Sequence, residues 1–171
     1  MAGTVRVLSV FPQKGAAQRR ELAGQEQCEA LGRRMAEALG RVNPGALLFF
    51  GPLGVGKTTL CRALVSALPG ASEAEISSPS FTICNIYCTE PAVHHFDLYR
   101  LPAGMGDEAL DESFDAWDVL TIVEWTEHLP ESYFPADGLA LRLSHGLEPA
   151  ARIVEMSVLG PLGEQFLTLL V

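Results

Sequence analysis

The chain has 171 residues, 48% of them apolar, and a formal net charge of −9 at pH 7. That length suits one domain, 1–171, with an ample core; no stretch reaches the ~18 uncharged apolar residues of a membrane span, and the first ten residues lack the features of a secretory leader. A cytoplasmic protein is expected, and one that holds neither DNA nor RNA by itself, because its average field repels a phosphate polyanion.

In chain order, Thr4 to Val10 alternates as a short strand does, and Phe11 to Arg20, with Pro, Gly and small residues, is expected to be a loop, so that residues 1–20 can lie at the periphery. Gln25 to Leu39 sets Cys28, Leu31, Met35 and Leu39 on one face at helical spacing, with Gly40 as its stop. Ala46 to Phe50 is wholly apolar, as a strand buried on both faces requires, and Thr58 to Leu68 is the helix that follows, ended by Pro69-Gly70. Ser80 to Cys88 and Val93 to Tyr99 are β-rich runs joined by the turn-like Thr89 to Ala92, which predicts an antiparallel hairpin. Asp107 to Asp115 reads as a short acidic helix after the flexible Pro102 to Gly106. Val119 to Trp125 is a second apolar strand, and Leu139 to Leu143 and Arg152 to Val158 are closing strands. The expected fold is α/β, a single P-loop domain whose mixed parallel and antiparallel sheet is flanked by helices.

Between the first apolar strand and its helix, Gly51-Pro-Leu-Gly-Val-Gly-Lys57-Thr58 fits the phosphate-loop pattern G-x-x-x-x-G-K-[ST] at every fixed position. Such a loop turns backbone N–H groups inward around phosphate oxygens, which side chains at Gly51 and Gly56 would obstruct. Leu53, Gly54, Val55, Gly56, Lys57, Thr58 and Thr59 are therefore candidate nucleotide-binding residues. Lys57 would reach the β- and γ-phosphates, the Thr58 hydroxyl would ligate Mg²⁺, and Thr59 would touch the α-phosphate. The absence of an Asn-Lys-x-Asp segment favours adenine over guanine.

A metal on the loop needs a partner carboxylate, and Glu124, at the end of the apolar Leu120 to Val123, supplies one; otherwise it is a strand-end acid facing water. Asp97, an acid inside an apolar run, can orient or deprotonate an attacking water, or pair structurally with Arg100 or another arginine. His94 and His95 alternate across a strand, so at most one faces a nucleotide. Ser77 to Thr82 can sense a γ-phosphate or serve as a plain connection. Cys84 and Cys88 with the His pair form a weak zinc pattern, because the spacing is wide and strand-like. Arg19, Arg20, Arg33, Arg34 and Arg41 read as a solvated face rather than a binding patch. A small-molecule kinase and a nucleotide-gated assembly module stay open as alternatives to an ATPase, the kinase disfavoured by the lack of an arginine-rich lid.

Taken in order, Leu31-Gly32, the loop ending Gly-Lys-Thr-Thr, Ser78-Pro-Ser-Phe-Thr82, His95-Phe-Asp-Leu-Tyr-Arg100 and Val123-Glu-Trp125 resemble the TsaE (YjeE) family over roughly Leu22 to Val158. The resemblance implies a weak, partner-stimulated ATPase that uses ATP and Mg²⁺ in threonylcarbamoyladenosine (t6A) modification of tRNA. It would act in a complex with a TsaD-like threonylcarbamoyl transferase and its TsaB-like paralogous partner, which would hold the tRNA. It also implies catalytic importance for Asp97, Lys57 and Glu124, a metal role for Thr58 and Glu124, and positions near the nucleotide or partner for Thr82 and Trp125. Ser80 and Cys28 stand where threonine is usual in the family, and Ala109 where glycine is expected.

Overall fold

The structure is a computed structural model and describes residues 11–13, 15, 17–71, 76, 79, 82–104 and 107–171. Seven strands form one sheet: β1 (Ala17–Leu22), β2 (Ala46–Phe50), β3 (Cys84–Tyr87), β4 (Ala92–Asp97), β5 (Val119–Glu124), β6 (Gly138–His145) and β7 (Arg152–Leu159), in the spatial order β1-β7-β6-β2-β5-β4-β3. The central β6, β2, β5 and β4 run parallel, while β3 pairs with β4, and β7 with β6 and β1, antiparallel. The expected mixed sheet and the β3–β4 hairpin are borne out.

Side-chain parity along the strands divides the interior in two. Leu47 and Phe49 of β2, Leu120 and Ile122 of β5, and Leu139 and Leu141 of β6 point to one face, covered by α1 (Gln25–Leu39), α2 (Lys57–Ser66) and α4 (Gly160–Leu170). Leu48, Phe50, Phe96 and Val123 point to the other, covered by Leu110 of α3 (Glu108–Asp115) and by Leu129, Tyr133 and Phe134 after β5. β2 and β5 are buried along their whole length; β2 accordingly reads as an unbroken apolar run, and β5 as one interrupted by Thr121 and ended by Glu124. The predicted face of α1 is buried, and Gly32 brings α1 onto α2: a Cβ there would lie 2.8 Å from the Leu60 carbonyl oxygen and 2.9 Å from the Leu64 nitrogen. Asp107 caps α3 by accepting from Ala109 N–H.

Two elements differ from expectation. Ala17 to Leu22, expected to be mostly loop, is an edge strand paired with β7 from Ala17↔Ser157 to Leu22↔Arg152. Its polar and arginine-rich side chains suit an edge that is half exposed, and polarity disguised it as a loop. The arginines Arg19 and Arg20 accordingly lie on this strand, and Arg20 and Arg34 both donate to the Leu170 carbonyl. α4 was not foreseen; Pro161 in its first turn and the spacing of Phe166, Leu167 and Leu170 are the signals that mark it. The strands over 80–88 and 93–99 are shorter than expected, and Thr58–Leu68 begins one residue earlier, at Lys57. Thr4 to Val10 and most of Ser77 to Thr82 lie outside the described residues. Among the described residues no helix is long and apolar enough to cross a membrane.

Candidate functional site

A cleft of about 430 Å³ opens at the carboxyl ends of β2, β4 and β5, where a parallel sheet whose connections diverge leaves room for a ligand. The loop from Gly51 to Gly56 forms one wall. Its first glycine is forced by packing: Gly51 has φ 135°, and a Cβ would lie 2.4 Å from the Leu143 carbonyl oxygen of β6. Gly51 N–H donates to Glu127 Oε1 (3.1 Å), so the segment after β5 braces the loop entrance. Gly56, left-handed at φ 109°, caps α2 without a side-chain hydrogen bond, which leaves the first-turn amides of the helix uncontested. Amides so arranged at the positive end of a helix dipole can bind an anion.

Lys57 is almost fully buried. Its Nζ donates to the carbonyls of Gly51 and Pro52 and sits 3.9 Å from the centroid of the Trp125 ring. Burial pushes its pKa down, and the nearby carboxylates of Glu127, Glu124 and Asp97 oppose that shift. Trp125 adopts a left-handed backbone (φ 61°, ψ 39°), uncommon for a bulky residue, that turns the chain sharply after β5. Its ring leans on Tyr99 at 4.8 Å and His128 at 5.9 Å. His128 Nδ1–H donates to the Leu98 carbonyl (2.8 Å), tying the segment after β5 to the segment after β4.

The carboxylates converge because the strands are in register. Glu124 ends β5 with Phe49 of β2 on one side and Asp97 of β4 on the other. Both acids are buried, with Asp97 accepting Tyr99 N–H (3.0 Å). The Thr58 hydroxyl donates to Glu124 Oε2 at 2.8 Å, and His95 Nε2 donates to Glu124 Oε1 at 2.9 Å. Thr58 and Glu124, 66 residues apart in sequence, thus offer two oxygen donors side by side at the cleft, a set suited to a hard divalent cation.

The cleft gathers ten of the sequence-selected residues: Leu53, Gly54, Val55, Gly56, Lys57, Thr58, Thr59, Asp97, Glu124 and Trp125 line it together with Tyr99 and Arg100. Thr82 is not brought to it; that side chain is exposed and donates to Asn85 Oδ1 (2.9 Å). The two histidines diverge as parity predicts: His94 bonds Ser113 of α3 on the opposite face, and His95 reaches Glu124. Cys84 and Cys88 join no cluster with them. Among the described residues, the metal-competent group is instead Cys61, His95 and Glu124, whose ligand atoms lie within 4.8 Å of one another. The thiol of Cys61 is fully buried, and that burial, with Glu124 beside it, pushes its pKa well above the ordinary value, keeping it protonated. Sequence reasoning also missed a hollow of about 180 Å³ behind the loop, lined by Gln25, Cys28, Val55, Thr59, Ala150 and Arg152 among others. Arg152 donates to the Val55 carbonyl there, a contact spanning 97 residues.

Comparison with known proteins agrees with this geometry. The family model described as "Threonylcarbamoyl adenosine biosynthesis protein TsaE" matches residues 22–153. The protein named tRNA threonylcarbamoyladenosine biosynthesis protein TsaE from Aquifex aeolicus (strain VF5) is 40% identical over 78 residues, 45% of this chain and 54% of that protein. Its namesake from Rickettsia bellii (strain RML369-C) is 37% identical over 84 residues, 47% of this chain and 56% of that protein. The chain thus spans about half the length of the curated relatives it matches. The crystal structure of Bacillus subtilus YdiB superposes with a TM-score of 0.73 at 25% identity, covering 91% of this chain and 94% of that one. With the family match running from the end of β1 through the cleft into β7, the chain belongs to the TsaE family.

Proposed function

We propose that this chain is a Mg²⁺-dependent ATPase serving threonylcarbamoyladenosine modification of tRNA, weak alone and stimulated within a complex with a TsaD-like transferase and its TsaB-like partner. The observation that carries the reading is the Thr58–Glu124 contact at 2.8 Å in a cleft that Lys57 and Asp97 share. A phosphate loop and a strand-end acid that met nowhere would not make a nucleotide site. The oxygen-only pair on the cleft side fits Mg²⁺, with Thr58 and Glu124 holding it directly or through water. Bound there, the ion would supply positive charge to offset the charge of the transferred phosphoryl group.

The protein's own groups do the rest. The loop amides from Leu53 to Thr59 cradle the phosphates, and Lys57 exchanges the Gly51 and Pro52 carbonyls for phosphate oxygens. Asp97 orients the attacking water or takes its proton, and Trp125 with Tyr99 shields the site on the rim. The base would occupy the hollow behind the loop, between Gln25, Cys28 and Arg152. Exposed Leu53 and Tyr99 at the cleft mouth are the contacts a partner would cover. The net charge of −9 is consistent with tRNA being held by the partners.

The test is phosphate release from ATP by the purified chain, with and without the transferase pair and tRNA, for wild type and Glu124→Ala. Partner-stimulated release that requires Glu124 is the expected result. Intact ATP binding without stimulation overturns the accessory-ATPase reading and directs the search to phosphoryl acceptors.

A further inference from the structure

We propose that His95 is a positioning residue for Glu124: its Nε2–H, bonded to Oε1, fixes the carboxylate so that Oε2 is presented to Thr58 and the metal edge of the cleft. The inference rests on the metal role proposed above for Thr58 and Glu124.

Glu124 ends a strand and has three side-chain torsions, so the strand alone does not decide where its oxygens point. Among the described residues its carboxylate has two hydrogen-bond partners, one for each oxygen: His95 at 2.9 Å and Thr58 at 2.8 Å. A partner at each oxygen defines the carboxylate plane, and only Oε2 is on the phosphate-loop side. His95 and Glu124 are both 1% exposed, so water does not compete for Oε1. Parity supplies the geometry: His95 and Asp97 share one face of β4, with Asp97 paired to Glu124 and His95 paired to Ile122. The imidazole therefore lies one step deeper than the cleft, behind the carboxylate rather than in front of it.

The histidine is also costly as mere packing. Its Nδ1 is buried without a hydrogen-bond partner among the described residues, a penalty that an apolar side chain of similar volume would not carry. What that penalty secures is the bond from Nε2 to Glu124. Cys61 completes the enclosure, its fully buried side chain filling the third side of the pair. Outer partners that orient a metal-binding carboxylate are worth about 10–100-fold in metal affinity.

The test uses the full chain and equilibrium binding of a fluorescent ADP analogue, titrated in Mg²⁺ and again in EDTA. The ratio of the two affinities reads the metal's contribution. His95→Leu, which keeps volume and removes the donor, should cut that ratio about 10-fold or more while leaving the EDTA affinity in place. His95→Gln, whose amide can donate from nearly the same point, should restore most of it. A wild-type ratio in a folded His95→Leu or His95→Ala protein overturns the inference, as does an equal loss in Mg²⁺ and EDTA. Failure of both variants to fold, read by circular dichroism, also overturns it, because the residue would then be structural. Glu124→Ala separates this inference from its parent. If it too keeps the full Mg²⁺ ratio, the metal role of Glu124 fails and both fall; if it alone loses the ratio, only the role of His95 fails.

Discussion

The two wings of the sheet are built on opposite principles. On the side of β2, β5, β4 and α2, the interior holds Lys57, His95, Asp97, Thr121, Glu124 and Thr126, buried side chains that find partners inside the protein, on the backbone or on other side chains. On the side of β6, β7, β1 and α4, Ser157 is the buried polar side chain among the described residues, and Leu139, Leu141, Val154, Met156, Phe166 and Leu170 fill the rest. The first wing carries left-handed backbone at Trp125 and a lysine whose charge is disfavoured by burial. Among the described residues the second carries no buried charge, its one polar cost being the unpartnered Ser157 hydroxyl, and it supplies apolar burial instead. The contrast teaches a division of labour: one wing accepts desolvated charge to make a site, and the other holds the molecule together.

If the division is sound, breaking each wing should give a different signature. Asp97→Asn should lower turnover by about 10²–10⁴-fold, the span of a lost general base or water-holding acid. Thermal unfolding should move by less than about 1 kcal/mol, because the amide oxygen can still accept Tyr99 N–H. Phosphate release and a melting curve on one preparation decide it. Phe166→Ala in α4 should do the reverse, losing about 3–5 kcal/mol in urea unfolding while turnover per folded molecule is kept. A parallel loss of turnover in the folded variant would dissolve the contrast.

Gly32→Ala tests the seam between the wings. The added methyl meets backbone atoms of α2 at 2.8 and 2.9 Å, so α2 must shift, at about 1–3 kcal/mol. Because α2 begins at Lys57, nucleotide affinity should fall along with stability, a joint effect that fluorescence binding and denaturation read together. The smallest effect belongs to the surface pair Arg142–Glu155 on β6 and β7 (2.8 Å). Arg142's hydrogen bond holds the Glu155 pKa below its ordinary value, so the folded chain binds fewer protons than the unfolded one. The contribution is therefore full above the unfolded carboxylate pKa of about 4.3 and is lost as pH falls through the lower folded value. With both side chains about one-third exposed, Glu155→Gln should cost a few tenths of a kcal/mol at pH 7 and nothing near pH 2, in urea titrations at the two pH values.

The legible features were those with a local code. Gly51 to Thr58 announces its conformation by glycine spacing, Ala46 to Phe50 announces full burial by unbroken apolarity and Val119 to Val123 by apolarity broken only at Thr121, and Glu124 stands out as the acid that ends such a run. The edge strand at Ala17 to Leu22 was hidden because an exposed edge tolerates Gln, Arg and Glu, the residues of a loop. Thr82 was carried to the cleft by analogy of sequence alone, and its hydroxyl turns to Asn85. His95 could be narrowed by parity to one of two faces and no further.

By itself, then, the amino-acid order determined the glycine-rich loop, the helix behind it, the hairpin, the apolar strands and the acids at their ends. Each follows from steric and hydrophobic preferences acting within a few residues. Only the tertiary structure decided that β2 lies between β5 and β6, that Asp97 stands beside Glu124, and that Thr58 and His95 take one carboxylate oxygen each. Those contacts join residues 27 to 66 positions apart, and they depend on strand order and register, which the packing of all the helices on the sheet selects together.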